Sequence, residues 1–241
     1  TLNGESFYFL GMNRNKKSIT LNLKSPKGQQ LFHELARKSD VVFSNFRPGV
    51  LAGLGADYTT LRKVNPRIIS CAISGFGPHD PGRAALDLSA QMASGIADLT
   101  GDGVRCGVPV SDLAAGLYAA IGILARLKEG KGGSVSTSLL EASASLLSYQ
   151  ATRFFQTGEA PQRLRNAHPS IVPYDAYPTS DGRQVAIAVA NDSAFGRLCR
   201  ALEIPAVGED PRFATNPDRV RYRDVLEPLL AEAVRKLPTA E

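Results

Sequence analysis

This sequence of 241 residues predicts an α/β fold: a parallel β-sheet flanked by helices, followed by the start of a smaller second domain. Two observations carry the prediction. Nearly continuous apolar strands alternate with helical patterns in the first half, as in sheets covered on both faces. A proline-rich stretch then separates them from a second set of elements. We therefore expect part of a large α/β domain over 1–160, a linker over 161–180 and part of a small α/β domain over 181–241.

Three segments of the first half, 18–23, 40–44 and 67–74, are rich in the apolar and β-branched residues typical of strands. Helices between parallel strands would make the sheet Rossmann-like. The second and third segments end in turn-forming residues at 45–49 and 75–78. Ligands of open α/β sheets bind beyond the carboxyl ends of the strands, so these turns are candidate ligand loops. Ordinary strand-to-helix turns are the alternative.

Helical periodicity connects these strands and dominates the middle of the chain. The predicted helices lie at 26–36, 58–64, 86–100, 112–128 and 139–157, with a short strand at 135–138. Gly116 and Gly122 each cost about 1 kcal/mol against alanine within a helix, so we expect close packing to offset them. The uncharged apolar run 113–125 is too short to cross a bilayer and indicates a buried helix.

The second domain is predicted to begin near Tyr174, inside a proline-rich loop over 161–181. It contains a strand at 184–190 and helices at 193–202 and 221–235. The chain starts with Thr1 rather than Met and ends just after a helix. We interpret it as a piece of a longer protein, truncated at both ends.

Composition and charge narrow the function classes. The formal net charge is +5, but the basic residues form only short clusters, such as Lys16 with Lys17 and the run 219–223. This spread favours a small polyanionic ligand over a nucleic-acid surface, and the absence of Trp argues against stacking on single strands. The few, widely spaced cysteines and histidines predict no disulfide and no metal site. They indicate a reducing compartment, the cytoplasm or, in a eukaryote, the mitochondrial matrix.

Asp112 directly precedes an apolar helix, and two interpretations stay open. Aspartate is among the best N-cap residues, so a structural cap is one of them. The other is a nucleophile, because a carboxylate with a pKa of about 3.9 is ionised at neutral pH and a helix N-terminus stabilises the anion. A general acid would need a pKa about three units higher, which costs about 4 kcal/mol. The position therefore favours a nucleophile over a proton donor.

Four other polar residues are candidates, each with a structural alternative. Asp87 lies near a helix start and is a functional acid or a cap. Lys24 and Arg47 follow strand ends, where they bind phosphates or remain solvated surface charges. His168, in the proline-rich loop, is catalytic or structural.

Several short segments, in this order and spacing, resemble the class III coenzyme A transferase family of the CaiB/BaiF type. They lie at 13–21 (NRNKKSITL), 45–49 (NFRPG), 65–69 (NPRII), 74–77 (SGFG), 107–118 (GVPVSDLAAGLY) and 167–174 (AHPSIVPY). The resemblance covers nearly the whole chain. It implies that Asp112 attacks an acyl-CoA thioester to form a mixed anhydride, which CoA converts to an aspartyl-CoA thioester. A free carboxylic acid then takes up the CoA through a second anhydride.

The resemblance also implies the binding residues. CoA contacts are expected at Leu21, Lys24, Asn45, Phe46, Arg47, Ala85, Leu86 and Asp87, and a substrate contact at His168. CoA serves as substrate and acyl carrier, with no metal or redox cofactor. The full-length protein would be an interlocked homodimer. Gly53 stands where family members commonly have an arginine, which puts one phosphate contact in doubt.

Three functions remain open at this point. The first is CoA transfer between an acyl-CoA and a free carboxylic acid, with motifs closest to members that use dicarboxylic acids such as succinate. The second is an acyl-CoA racemase or isomerase of the same fold. Leu86 stands where the racemases carry a histidine, which favours transfer. The third is a non-catalytic fragment. Neither a nucleic acid nor a membrane is an expected partner.

Overall fold

The computed structural model of the chain describes residues 1, 4–78, 80 and 82–239. Its contacts group the chain into two compact units. Unit 1 is Thr1–Ser94 with Gly107–Leu146, and unit 2 is Gly95–Cys106 with Leu147–Glu241. The predicted domain boundaries near 160 and 180 do not fall at these divisions, and the domain assignment stays a prediction.

The secondary structure is mixed, with helices in the majority. The first elements are α1 (Phe7–Met12), α2 (Pro26–Arg37), β1 (Val41–Ser44), α3 (Val50–Gly53), α4 (Tyr58–Val64), β2 (Ile69–Ser74), α5 (Asp87–Ser94), α6 (Ile96–Gly101), α7 (Val110–Glu129), β3 (Gly133–Ser138) and α8 (Leu139–Leu146). They are followed by α9 (Tyr149–Thr157), β4 (Tyr174–Pro178), β5 (Gln184–Ala188), α10 (Asp192–Ala201), α11 (Pro205–Glu209), a 3₁₀ turn (Pro211–Phe213), α12 (Asn216–Arg221) and α13 (Arg223–Val234).

In unit 1, the described residues form a parallel sheet in the order β1, β2, β3. Val41 pairs with Ile69, and Ile69 pairs with Gly133, so β2 is the central strand. Its residues Ile69 and Cys71 are buried, and α7 contacts both β2 and β3. The predicted α/β architecture with a parallel sheet is confirmed.

The predicted helices 26–36 and 58–64 are present as α2 and α4, because each has a capping side chain. The Ser25 hydroxyl accepts the N–H of Gly28 at 3.1 Å, just before a proline that suits the first helical position. The Asp57 carboxylate accepts the N–H of Thr59 at 3.0 Å in the same way. Local sequence signals are sufficient for these two helices.

The strand predicted at 18–23 is wrong, because the structure assigns no secondary structure there beyond a turn at its end. Ile19 and Leu21 instead line a cavity of about 420 Å³ together with Phe32, Val41 and Phe43. A strand requires a hydrogen-bonded neighbour, and β-propensity alone does not provide one. The segment does not join the sheet.

Two predicted helices are each divided by a residue with left-handed backbone geometry. The predicted helix 86–100 is split into α5 and α6 at Gly95, where φ is +86°. The predicted helix 139–157 is split into α8 and α9 at Ser148, where φ is +47°. A helix cannot continue through such a residue. The predicted loop 161–181 also contains β4, and the predicted helix 221–235 starts two residues later, at Arg223.

α7 is buried along one face and exposed along the other, so the prediction of a buried helix holds for only half of its surface. Ala114, Ala115 and Ala119 are buried, whereas Leu117 is 66% and Leu124 is 64% exposed. Within the described part of the chain, α7 is also long and apolar enough to cross a membrane by length and composition, with 22% of that stretch buried. Length and composition alone do not show whether α7 lies in a membrane or against protein.

The two glycines of α7, Gly116 and Gly122, differ in how closely neighbouring atoms approach them. A Cβ built on Gly122 would lie 2.6 Å from Cγ1 of Val135 in β3, so the helix approaches the sheet too closely for a side chain. This confirms the expected close packing at Gly122. A Cβ on Gly116 would meet no atom within 4 Å, so packing does not explain this glycine.

Unit 2 has its own hydrophobic core, built around the antiparallel pair β4 and β5. Its members are Val172, Tyr177, Val189, Phe195, Cys199, Phe213, Leu226, Leu230 and Val234. Arg219 is fully buried beside them, donating to the carbonyl oxygens of Val172 and Phe213 at 2.8 and 2.9 Å and pairing with Asp192 at 2.8 Å. The basic run 219–223 was interpreted as suiting a polyanionic ligand, but Arg219 serves the fold of this unit.

Candidate active site

The candidate site is a cavity of about 690 Å³ beyond the carboxyl ends of β1 and β2, in unit 1. We call it the Asp112 cavity. Its lining residues are Tyr8, Met12, Phe43, Asn45, Phe46, Arg47, Pro48, Ile73, Ser74, Gly75, Arg83, Ala84, Ala85, Leu86, Asp112, Gly116 and Leu139. Six of the sequence-predicted site residues are therefore brought together: Asn45, Phe46, Arg47, Ala85, Leu86 and Asp112. Both turns predicted as ligand loops contribute to the wall.

Asp112 is the third residue of α7, which begins at Val110. It is therefore not the N-cap, a position held by Pro109 without a side-chain hydrogen bond. Within the described residues the Asp112 carboxylate has no hydrogen bond or ion pair, and its side chain is exposed on the cavity wall. The structural cap that sequence analysis left open is excluded by this geometry.

Asp87 caps α7 from a neighbouring helix. Its carboxylate accepts the N–H of Ser111 at 2.9 Å and the side-chain amide of Gln91 at 2.6 Å. The predicted cap was for the helix that Asp87 itself begins, whereas the observed hydrogen bond satisfies an N–H of α7. Asp87 thus fixes the start of α7, one residue before Asp112, rather than lining the cavity.

Small side chains hold α7 against α5 and α8. The buried cluster consists of Ala90, Ala114, Ala115, Leu139 and Ala142. Beside it, the fully buried hydroxyls of Ser111 and Ser143 are 2.7 Å apart, and Ser143 also donates to a backbone carbonyl of α8. These contacts determine where the first turn of α7 lies, and therefore where Asp112 lies.

The pKa of Asp112 is raised above its ordinary value, first by partial burial and then by the negative charge of Asp87. Sequence analysis emphasised the helix N-terminus, which favours the anion. In the structure, partial burial and the charge of Asp87 act in the opposite direction and favour the neutral acid.

N–H groups at the start of α7 can act as donors toward an oxyanion. Three of the first four are occupied: Val110 donates to Val108 at 2.8 Å, Ser111 to Asp87 at 2.9 Å, and Leu113 to Pro109 at 3.0 Å. The N–H of Asp112 itself is left as the candidate donor.

Two arginines give the cavity its positive charge. Arg47 follows β1, as predicted from the sequence. Arg83 was not singled out by sequence reasoning; its guanidinium lies 3.8 Å from the ring centre of Phe76. Among the described residues neither arginine forms an ion pair with a carboxylate. The signal that was missed is an arginine four residues before Asp87, in the loop that leads to α5.

Close backbone contact joins two walls of the cavity. A Cβ on Gly75 would lie 2.6 Å from the Cβ of Ala85 and 2.9 Å from its backbone nitrogen. Only glycine fits there, which explains the glycine that follows β2.

Three predicted site residues lie elsewhere. Leu21 lines the 420 Å³ cavity beside β1, and Lys24 is exposed in the turn before α2. His168 belongs to unit 2, where its ring lies between those of Tyr149 and Tyr174, with centroids 5.2 and 5.3 Å away. The structure gives His168 a structural setting, and its predicted substrate contact stays a prediction.

A free carboxylate at a helix start, in a basic cavity beyond the ends of parallel strands, defines an α/β protein with a candidate anion site and a candidate acidic nucleophile. In the described residues no group of three or more His, Cys, Asp or Glu side chains is placed to hold a metal ion. The chain belongs to CoA-transferase family III, whose family model matches residues 1–241.

Individual relatives agree with this assignment. The chain is 40% identical to a succinate–glutarate CoA-transferase of Agrobacterium fabrum, over 90% of this chain and 56% of that protein. It is 38% identical to an acetyl-CoA:oxalate CoA-transferase of Acetobacter aceti, over 98% and 63%. A crystal structure of a CaiB/BaiF family protein from Brucella suis matches with a TM-score of 0.76 and 38% identity, over 94% and 62%. The chain thus spans less than two thirds of the length of these relatives.

Proposed function

We propose that this protein transfers CoA from an acyl-CoA to a free carboxylic acid, with Asp112 as the acyl acceptor. The observation that carries the proposal is the unpaired Asp112 carboxylate on the wall of a cavity that also contains two arginines without ion-pair partners in the described residues. Family membership supports it, because the relatives from Agrobacterium fabrum and Acetobacter aceti are named as CoA-transferases.

The reaction divides into four balanced exchanges. Asp112 attacks the thioester carbonyl, giving a mixed anhydride and CoA thiolate. The thiolate attacks the aspartyl carbonyl, releasing the donor acid and leaving an aspartyl-CoA thioester. The acceptor carboxylate displaces CoA to form a second anhydride, and the thiolate then attacks its acyl carbon, restoring Asp112. No electron is gained or lost, so the proposal requires no redox cofactor, and CoA is a substrate rather than a resident group.

The positive wall of the Asp112 cavity supports binding of CoA. Asn45, Phe46 and Arg47 lie together in the loop after β1, where the resemblance implies CoA contacts. Arginine recognises phosphate groups with paired N–H donors. Ala85 and Leu86 form another part of the wall. Because Gly53 stands where family members commonly have an arginine, Arg47 is the cation that this loop contributes to the cavity.

A dicarboxylic acceptor is the second part of the proposal. Succinate, glutarate and oxalate, named for the relatives, all carry two carboxylates. One carboxylate reacts at Asp112, so the other needs a cation. Arg83 is suited to this role because Phe76 orients its guanidinium and no described carboxylate occupies it.

Exchange between acetyl-CoA and two acids of equal length, glutarate and pentanoate, tests the role of Arg83. Arg83→Gln should raise the KM for glutarate by about tenfold to a hundredfold and leave pentanoate unchanged, because only glutarate loses a charged hydrogen bond. An equal rise for both acids, with a higher KM for acetyl-CoA, would assign Arg83 to CoA instead.

The role of Asp112 is tested with isotope exchange between an acyl-CoA and its acid. Asp112→Asn should lower exchange by about 10³-fold or more, because the nucleophile is removed. Glu34→Gln, which neutralises an exposed acid on α2, is the matched control and should retain activity. Hydroxylamine should trap an acyl adduct on Asp112, located by mass spectrometry. Undiminished exchange in Asp112→Asn would reject the assignment.

The isomerase alternative predicts a different product. In deuterated water, incorporation of deuterium at Cα of an acyl-CoA without CoA exchange would favour proton abstraction over transfer. Leu86, which lines the cavity where racemases of the family carry a histidine, argues for transfer. An unfolded or aggregated chain in size-exclusion chromatography would support the non-catalytic alternative.

Assembly and location complete the proposal. We propose a homodimer in the full-length protein and a cytoplasmic or, in a eukaryote, mitochondrial matrix location. The exposed apolar face of α7 supports association with another surface. Cys71 and Cys199 are buried thiols that form no disulfide, which supports a reducing compartment. Light scattering coupled to size exclusion measures the oligomeric state.

A further inference from the structure

Another cavity of unit 1, of about 280 Å³, lies at the amino ends of β1 and β2 and has a strongly basic wall. Arg37, Lys38, Arg67, Arg126 and Lys131 line it, and we call it the basic cavity. We propose that it is a binding site for a small soluble polyphosphate, a multiply charged oxyanion of the size of pyrophosphate. α7 spans 20 residues, a length of about 30 Å, with Asp112 near its start and Arg126 near its end, so this site is distinct from the Asp112 cavity.

The charges of the basic cavity are mostly uncompensated. Arg126 pairs with Glu129 at 3.1 Å, and Asp40 is the carboxylate among the described lining residues. The other four cations form no ion pair with a described carboxylate. Like charges that line one small cavity repel one another, and a bound anion relieves that repulsion.

Stabilisation of helix C-termini explains some of these cations but not all of them. Basic residues in the last turn of a helix stabilise its C-terminal end, which explains Arg37 in α2 and Arg126 in α7. Arg67 lies in a turn before β2, outside any helix, and Lys131 lies beyond the C-cap of α7. A ligand gives these two residues a common role.

Backbone contacts hold the walls of the basic cavity in place. The side-chain amide of Asn65 donates to the carbonyl oxygens of Ala36 and Ser39 at 3.2 and 3.0 Å, joining the turn before β2 to the end of α2. A Cβ on Gly132 would lie 2.4 Å from the carbonyl oxygen of Pro66, so the turn after α7 lies directly against the same turn. The three segments that carry the cations are therefore preorganised, which reduces the entropy lost on binding.

Size and donor chemistry select the ligand class. A volume of about 280 Å³ is below the range of about 300–1,000 Å³ of sites for drug-sized ligands, which favours a small ion. Guanidinium groups supply paired N–H donors and ammonium groups supply point charges, the combination that binds phosphate oxygens.

Calorimetric titration of pyrophosphate into the whole chain at constant ionic strength tests the proposal. Arg67→Gln and Lys131→Gln should each weaken binding by about tenfold, because each removes a charge-assisted hydrogen bond. Lys63→Gln, an exposed cation on α4 outside the cavity, is the matched control and should bind normally. Arg47→Gln tests the other possible location, the Asp112 cavity. Loss of binding in Arg47→Gln, with normal binding in Arg67→Gln and Lys131→Gln, would overturn the proposal.

Thermal unfolding separates a ligand site from a purely structural role. Without ligand, the double variant Arg67→Gln/Lys131→Gln should unfold at the same or a higher temperature, because repulsion is relieved; pyrophosphate should raise the unfolding temperature of the parent chain only. A lower unfolding temperature with unchanged pyrophosphate binding would show that the cations serve the fold and would overturn the proposal. Binding to vesicles that contain phosphatidic acid, without binding of soluble pyrophosphate, would also overturn it.

Discussion

Unit 1 and unit 2 bury their apolar residues to very different extents. In unit 2, large side chains such as Phe213, Leu226 and Leu230 are completely buried in one core. In unit 1, the buried cluster around the start of α7 consists mainly of alanines. Leu117 and Leu124, on the opposite face of α7, remain 66% and 64% exposed. The region that carries the candidate chemistry is thus the one whose apolar surface is less completely covered. Regions with few buried apolar contacts generally have lower local stability, and binding sites are often found in such regions.

The largest effect on stability should come from Arg219 in unit 2. Arg219→Ala should lower the free energy of unfolding by about 3–5 kcal/mol, because it leaves the buried carbonyl oxygens of Val172 and Phe213 without their donor. Urea denaturation measures the change. Arg221→Ala is the matched control: it removes an exposed cation whose distance to Asp218 is 3.7 Å and should stay within about 0.5 kcal/mol. Equal effects of the two variants would show that Arg219 is not structural.

A pair of leucines tests the comparison of the units directly. Leu230→Ala, fully buried in unit 2, should cost about 2–5 kcal/mol of unfolding free energy. Leu117→Ala, on the exposed face of α7, should cost no more than about 0.5 kcal/mol. If Leu117→Ala costs as much as Leu230→Ala and its effect depends on protein concentration, the face of α7 is covered by association in solution.

The smallest effect concerns Glu227, which accepts a hydrogen bond from the Tyr177 hydroxyl in unit 2. Burial raises the pKa of Glu227, so folding favours the protonated form more than the unfolded chain does. The stability that this group contributes is fully present below its ordinary pKa and is lost as the pH rises through the raised value. Glu227→Gln should therefore gain stability relative to the parent chain as the pH rises above the ordinary glutamate pKa of about 4.3, as measured by thermal unfolding. Glu232→Gln, an exposed acid on the same helix, should show no such gain.

The sequence predicted those parts of unit 1 that depend on local signals. α2 and α4 have a cap residue and, in α2, a proline at the first position, so their boundaries follow from the chain itself. The parallel order of β1, β2 and β3 follows from their alternation with helices. The segment 18–23 was mistaken for a strand because its composition suits a strand, whereas the structure gives it no hydrogen-bonded neighbour in a sheet.

The candidate site was predictable as a set of residues but not as an arrangement. Six predicted residues line the Asp112 cavity: three follow β1, two precede α5 and one lies in the first turn of α7. The capping of α7 by Asp87 depends on the packing of α5 against α7, which no local pattern encodes. The position of Asp112 inside the first turn, rather than before it, depends on this same contact. Arg83 was missed because an arginine in a loop is usually a solvated surface charge.

The contrast between Gly75 and Gly116 has a consequence for engineering substrate size. Both glycines line the Asp112 cavity, but Gly75 has Ala85 against it, so even one methyl group there would force two loops apart. Gly116 faces open space, and alanine is the better helix former by about 1 kcal/mol. A library intended to exclude longer acyl chains should therefore vary position 116 and keep position 75 fixed.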